Sequence, residues 1–226
     1  MWRKITGKTL NMPLFFQQDI DSDSKIAIWK IEEEPAFFLR YVSPQRAVSH
    51  PHKQLQHLAG RYLLRYLYPD FPVELIQLAD TRKPFLENET YHFSISHCGD
   101  FAAAIVSKTN RVGVDIEIVT PKIEKIKQKF LSENENQILN DQQSTINGQQ
   151  STISYQLTML WSCKEAVFKW YGLGELDFKD HIRVKSITAT DKHCFDTIID
   201  FKKKEELYLN LISRFFGDLC LSYVVT

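Results

Sequence analysis

Gly113-Val-Asp-Ile-Glu117 reads as a β-strand, because β-branched residues recur throughout the run from Arg111 to Val119. Successive side chains of a strand point to opposite faces, so Asp115 and Glu117 share one face. Two carboxylates on one face suit a hard cation. A second stretch, Trp161-Ser-Cys-Lys-Glu-Ala-Val-Phe-Lys169, reads as an amphipathic helix in which Trp161, Glu165 and Lys169 fall at i, i+4 and i+8 along one stripe. It presents a third carboxylate and an ammonium together. Mg²⁺ is usually held by a few carboxylates and completed by phosphate oxygens and water, and lysine meets phosphate as a compact point charge. Strand and helix together predict metal-assisted chemistry on a phosphate ester. Taken singly, each has a plainer reading. A DxE pair is commonly a solvated strand face, and Glu165 with Lys169 forms an ordinary helix-surface ion pair worth about 0.2–0.5 kcal/mol.

Working outward, Lys25–Ile31 reads as a strand and His52–Tyr68 as a helix ended by Pro69 and Pro72. Strands are expected at Val73–Leu78, Tyr91–Ile95 and Phe101–Ser107, and a short helix around Ile123–Leu131. Another helix starts from Ser132, with Glu135 at the capping-box position. The polar stretch Asn140–Ser154 contains QQSTI twice, at Gln142–Ile146 and Gln149–Ile153, which without an apolar seam reads as an exposed loop. A helix over Tyr155–Tyr171 follows, then strands near Ile182–Thr188, Phe195–Phe201, Leu207–Ile212 and Leu219–Val225. The order strand, helix, strands thus occurs twice. It predicts an α/β (α+β) chain of two similar subdomains, 1–110 and 111–226, each a small mainly antiparallel sheet packed with a long helix in a pseudo-twofold arrangement. If the halves are a duplication, Trp29 and Ile31 stand in the places of Asp115 and Glu117, and one active site is expected.

The 226 residues are 43% hydrophobic, ample for a core, and 28 basic residues equal 28 acidic ones. No overall field recruits nucleic acid or an anionic membrane, so phosphate binding has to come from a local cluster. No apolar run approaches the ~20 residues of a membrane span, and Met12–Phe16 is cut off by Gln17, Gln18 and Asp19 before a signal-peptide core forms. A cytoplasmic protein is expected. Cys98, Cys163, Cys194 and Cys220 lack metal-ligand spacing and read as free thiols. His50, His52 and His57, at the start of a helix, read as solvated or capping residues.

Five segments together resemble the 4′-phosphopantetheinyl transferases of the larger, single-chain, surfactin-synthetase-activating type: Lys83-Pro84-Phe85, Phe93-Ser-Ile-Ser-His97, Gly113–Glu117, Phe130-Leu-Ser-Glu133 and Trp161–Lys169. The resemblance implies transfer of the phosphopantetheine arm of coenzyme A to a serine of an apo acyl or peptidyl carrier protein, with release of adenosine 3′,5′-bisphosphate. It further implies Mg²⁺, with Mn²⁺ as a substitute, held by Asp115, Glu117 and Glu165. Glu165 would also accept the serine proton, and Lys169 would stabilise charge on the diphosphate. Lys164 would be a second phosphate contact. Lys83 would lie beside the adenine and 3′-phosphate end of coenzyme A, with Ser96 and His97 near the 3′-phosphate and Arg61 as a further phosphate-binding arginine. Both halves of the site come from one chain, so a monomer is expected. Cys98 departs from the pattern, since a small hydroxyl residue is common after the histidine. A coenzyme A or carrier-binding module without catalysis, and a Mg²⁺-dependent phosphohydrolase, are the rival readings.

Overall fold

The computed structural model describes residues 13–44, 50–142, 153–204 and 206–226. Among them, the first half contains β1 (Leu14–Asp19), β2 (Ser24–Lys30), α1 (Pro35–Phe38), α2 (Pro51–Leu67), β3 (Gln77–Leu78), β4 (Pro84–Phe85), β5 (His92–Cys98) and β6 (Phe101–Ser107). The second contains β7 (Val112–Ile118), α3 (Glu133–Gln142), α4 (Ile153–Tyr171), β8 (Ile182–Ala189), β9 (Cys194–Lys202), β10 (Glu206–Phe216) and β11 (Leu219–Val225). One sheet has the order β1-β2-β6-β5 and the other β7-β11-β10-β9-β8, with β3 and β4 forming a separate ribbon. Every strand pair is antiparallel. The fold is therefore α+β.

The connectivity recurs. A strand (β2, then β7) is followed by a long helix (α2, then α4), and the last strand of each half (β6, then β11) pairs back with that first strand. Among the described residues, three apolar clusters form successive layers. One lies under α2, with Ala27, Trp29, Leu63 and Phe93. Another lies under α4, with Leu160, Val167, Ile199 and Leu211. The third lies between the sheets, where Ile26, Ile28 and Ile105 meet Val114, Ile116 and Leu221. Strand alternation explains the division: Ile26 and Ile28 face the other sheet, while Ala27 and Trp29 face α2.

Helix-to-sheet approach depends on glycine in each half. A Cβ on Gly113 would lie 2.1 Å from the Ala166 carbonyl oxygen, so α4 rests directly on β7. A Cβ on Gly60 of α2 would lie 2.6 Å from Ile95 Cγ2 on β5. Where the sheets meet, β5 and β7 share no backbone ladder. Ser94 Oγ instead accepts the Val114 N–H at 3.2 Å, and Ser96 Oγ accepts the Ile116 N–H at 3.3 Å.

Three local readings of the sequence are corrected. Val73–Leu78 is a 3₁₀ turn at Val73–Leu75 followed by the two-residue β3, because Pro72 starts the turn and its carbonyl accepts the Leu75 N–H at 3.0 Å. Ile123–Leu131 is not α-helical but holds 3₁₀ turns at Pro121–Lys125 and Lys127–Lys129. Strand β1 occupies residues read only as a truncated apolar run, and it pairs along β2 from Leu14 to Asp19. At the start of α3 the capping box does form: Ser132 N–H donates to Glu135 Oε2 at 2.8 Å, and Glu135 N–H to Ser132 Oγ at 3.4 Å. The QQSTI repeats lie outside the described residues, apart from Gln142 and Ile153 at their ends. Among the described residues no helix is long and apolar enough to cross a membrane. The four cysteines are unpaired thiols.

Candidate active site

Asp115 sits mid-strand in β7 with its side chain toward α4, only 3% exposed. Its Oδ1 lies 2.6 Å from Lys169 Nζ and 2.9 Å from Ser96 Oγ, and Lys169 also donates to Ser96 Oγ at 2.8 Å. Three elements thus meet at one oxygen: β5, β7 and α4. The other oxygen, Oδ2, is buried and has no hydrogen-bond partner among the described residues. Leaving a buried carboxylate oxygen unsatisfied is costly, which marks it as an acceptor for something from outside the chain.

Glu117, two residues on, accepts the Trp161 indole N–H at Oε1 (3.0 Å) and the Cys98 thiol at Oε2 (3.5 Å). Burial raises the Cys98 pKa to about 11, so the thiol is a neutral donor at neutral pH. Burial and then the charge of Asp115 raise the Glu117 pKa as well. Glu165, on the helix stripe between Trp161 and Lys169, is pushed up to about 7 by burial first and by Asp115 next, against the opposing pull of Lys169. Three carboxylates share one ammonium, and their mutual repulsion is what a divalent cation would relieve. The orphaned Asp115 oxygen and this all-oxygen acidic set fit Mg²⁺ or Mn²⁺. As the side chains stand, no three His, Cys, Asp or Glu groups among the described residues are already drawn into an ion-binding geometry.

The remaining candidates divide between two sides. On the α2 side, His97 is exposed at the end of β5 and its ring meets that of His57, with centroids 5.5 Å apart. Arg61 lies one helical turn beyond His57 and is half-buried. The three early histidines go separate ways. His50 precedes α2 without a side-chain capping bond, His52 Nε2 bonds the Gly99 carbonyl at 3.0 Å, and His57 packs on His97. On the α4 side, Lys83 Nζ donates to the Trp170 carbonyl at 3.1 Å. Burial and the neighbouring Arg111 hold its pKa down to about 8. Lys83 and Lys169 line the same cleft of about 210 Å³, with Thr81, Phe93 and Phe168. A larger cleft of about 580 Å³ adjoins it across Lys83 and Pro84, lined by Phe85, Tyr91, Arg111 and Tyr171.

Lys164 is a correction. It is fully buried, and its ammonium donates to the Phe130 carbonyl (2.7 Å) and the Phe178 carbonyl (2.7 Å) while pairing with Glu135 Oε1 (2.6 Å). An ammonium has three protons, and all three are engaged inside the protein. None remains for a phosphate, so the phosphate contact expected of Lys164 does not hold. The partner roles of Trp161 and Cys98 toward Glu117 were not read from the sequence. The i, i+4 spacing of Trp161 and Glu165 showed only that the indole lies on the acidic stripe.

An acid cluster and a lysine thus meet where the two sheets join. The chain belongs to the 4′-phosphopantetheinyl transferase superfamily, whose sequence profile matches residues 111–224. It is 30% identical over 118 residues to enterobactin synthase component D of Escherichia coli O157:H7, covering 52% of this chain and 54% of that protein. Against enterobactin synthase component D of Salmonella typhi the identity is 29% over 142 residues, covering 61% of this chain and 57% of that protein. The chain therefore spans about half the length of the curated relatives it matches.

Proposed function

We propose that this chain moves the 4′-phosphopantetheine arm of coenzyme A onto a serine hydroxyl of an apo carrier protein, releasing adenosine 3′,5′-bisphosphate. The observation that carries the reading is the Asp115 carboxylate. One oxygen is fixed by Lys169 and Ser96, and the other is buried with no hydrogen-bond partner among the described residues, while the Asp115 charge raises the pKa of both Glu117 and Glu165. Asp115, Glu117 and Glu165 would hold Mg²⁺ or Mn²⁺, which when bound supplies Lewis-acid polarisation of the diphosphate.

The protein's own groups do the rest. Lys169, tied to Ser96 and Asp115, presents positive charge where the leaving phosphate develops negative charge. Glu165, half-buried and on the same stripe, accepts the proton of the attacking serine. Lys83 faces the cleft it shares with Lys169 and contacts the adenine and 3′-phosphate end, with His97 and Arg61 approaching phosphate from the α2 side. The carrier docks at the rim, the chain acts as a monomer in the cytoplasm, and subdomains 1–110 and 111–226 each supply part of the site. The relatives' names as components of a synthase support a carrier-bearing assembly as the partner.

The test is intact-mass spectrometry of a purified apo carrier protein incubated with this protein, coenzyme A and Mg²⁺, with and without EDTA. A gain of one phosphopantetheine on one serine, lost with EDTA, supports the reading. Coenzyme A binding without transfer to any of several apo carriers overturns it in favour of a non-catalytic module. Phosphate release without an acceptor would identify a phosphohydrolase instead.

A further inference from the structure

Trp161 lies on the acidic stripe of α4, yet its ring is enclosed by others. Phe130 packs edge-on at 5.2 Å between centroids and Phe178 tilts against it at 5.4 Å. Both phenylalanines come from irregular backbone. Phe130 follows the Lys127–Lys129 turn, and Phe178 lies between α4 and β8. No strand ladder fixes either position. Their shared anchor is Lys164, whose ammonium holds both of their carbonyls at 2.7 Å.

Glu135 completes the anchor. Its Oε1 takes Lys164 at 2.6 Å and the Val184 N–H at 2.8 Å, while Oε2 takes the Ser132 N–H and hydroxyl at 2.8 and 2.9 Å. The carboxylate so joins the start of α3 and the edge strand β8 to α4. A buried ion pair is in general a weak source of net stability, because desolvation offsets much of the attraction. The distinctive feature of this pair is direction: one ammonium draws together the carbonyls of the two residues whose rings flank Trp161.

We infer that Lys164, held by Glu135, is a positioning residue for Glu117: it fixes Phe130 and Phe178 around Trp161, and the indole N–H then sets the orientation of the Glu117 carboxylate. The inference rests on the reading of Glu117 as a cation ligand. Partners of this kind, one bond removed from a metal, typically alter metal affinity or activity by about 10–100-fold when lost.

The test uses the full chain labelled with ¹⁵N-tryptophan, in which Trp161→Phe assigns the Trp161 indole resonance. Two variants are compared with wild type: the double variant Lys164→Met with Glu135→Gln, and Phe178→Ala, which leaves the ion pair in place. Both are expected to shift the Trp161 indole resonance while those of Trp29 and Trp170 stay. Mn²⁺ affinity, titrated directly by electron paramagnetic resonance, should fall about tenfold, with KM for coenzyme A changed by about twofold or less. Folded variants with a wild-type Trp161 resonance and wild-type Mn²⁺ affinity would reduce the pair to a structural role and overturn the inference. Should the double variant fail to fold, Phe178→Ala decides on the same two readouts. Should wild type bind no Mn²⁺, the ligand role of Glu117 falls, and the indole resonance alone decides whether Lys164 sets Trp161.

Discussion

Lys169 Nζ and Asp115 Oδ1 meet at 2.6 Å although 54 residues separate them, and Ser96 of the other sheet closes the triangle. The contact welds α4 to β7 and β5 at the point where chemistry is proposed. Asp115→Asn keeps the shape and an acceptor oxygen but removes the charge. Transfer to an apo carrier, followed by intact mass, should fall by about 100-fold or more, with the melting temperature nearly unchanged. Wild-type transfer by this variant would remove Asp115 from the metal set.

Asp115→Ala is a harsher change than a solvated carboxylate would suggest, because Asp115 is buried and its loss strands Lys169. Breaking a fully buried pair costs about 3–5 kcal/mol. Lys169 keeps 27% of its side chain exposed, so water softens the loss and a cost of about 1–2 kcal/mol is expected. Urea unfolding would measure it, and a variant as stable as Asp115→Asn would contradict the account.

Gly113→Ala should damage fold and activity together. Its Cβ would fall 2.1 Å from the Ala166 carbonyl oxygen and 2.8 Å from Trp170 Cβ, and the nearer obstacle is backbone that no rotamer can move. A loss of about 2–3 kcal/mol in urea unfolding is expected, as in other overpacked cores. The same displacement moves Glu165 and Lys169, so residual transfer should fall even where the variant remains folded.

Lys83 predicts an alkaline limb. Its pKa of about 8 lies below the ordinary 10.5 through burial and Arg111. Between those values the unfolded chain binds the extra proton, so the contribution of this group to stability rises with pH across the window. Ligand binding runs the opposite way, since only the ammonium attracts phosphate. The kcat/KM for coenzyme A should decline above about pH 8, and Lys83→Arg, charged throughout, should remove the decline. A profile that is flat in wild type would place Lys83 away from the ligand.

His97→Ala should act on binding more than on chemistry. Loss of a hydrogen bond to a charged group is worth about 1.5–3 kcal/mol, so KM for coenzyme A is expected to rise about 10–100-fold with kcat little changed. Steady-state kinetics with a saturating carrier would separate the two, and an unchanged KM would count against phosphate contact at this ring.

The reach of the sequence followed the periodicities. Runs of β-branched and other apolar residues exposed β2, β6, β7 and β11, and the i, i+4 stripe put Glu165 and Lys169 on one face of α4. Strand β1 escaped because Gln17, Gln18 and Asp19 are exposed on an edge strand, where no apolar alternation is required. The turns at Pro121–Lys129 looked helical because 3₁₀ and α spacing differ little over so short a run. Lys164 was misread for a different reason. Helical phase tells which residues share a face, but not that Glu135 and two loop carbonyls would close over the ammonium. Ser96 and Asp115 lie on different strands, and the resemblance set Ser96 near the 3′-phosphate, so its bond to Asp115 was not legible in the sequence.

The Ser94 and Ser96 hydroxyls have a consequence for how the molecule holds together. Because they replace an amide ladder between β5 and β7, the two sheets associate as subunits do, by an apolar face and a few side-chain bonds. Lys108 to Arg111 then acts as a tether between β6 and β7, and what it supplies is effective concentration. A chain opened within that tether should give two pieces whose reunion, and with it the Lys169–Ser96 contact, depends on how much of each is present.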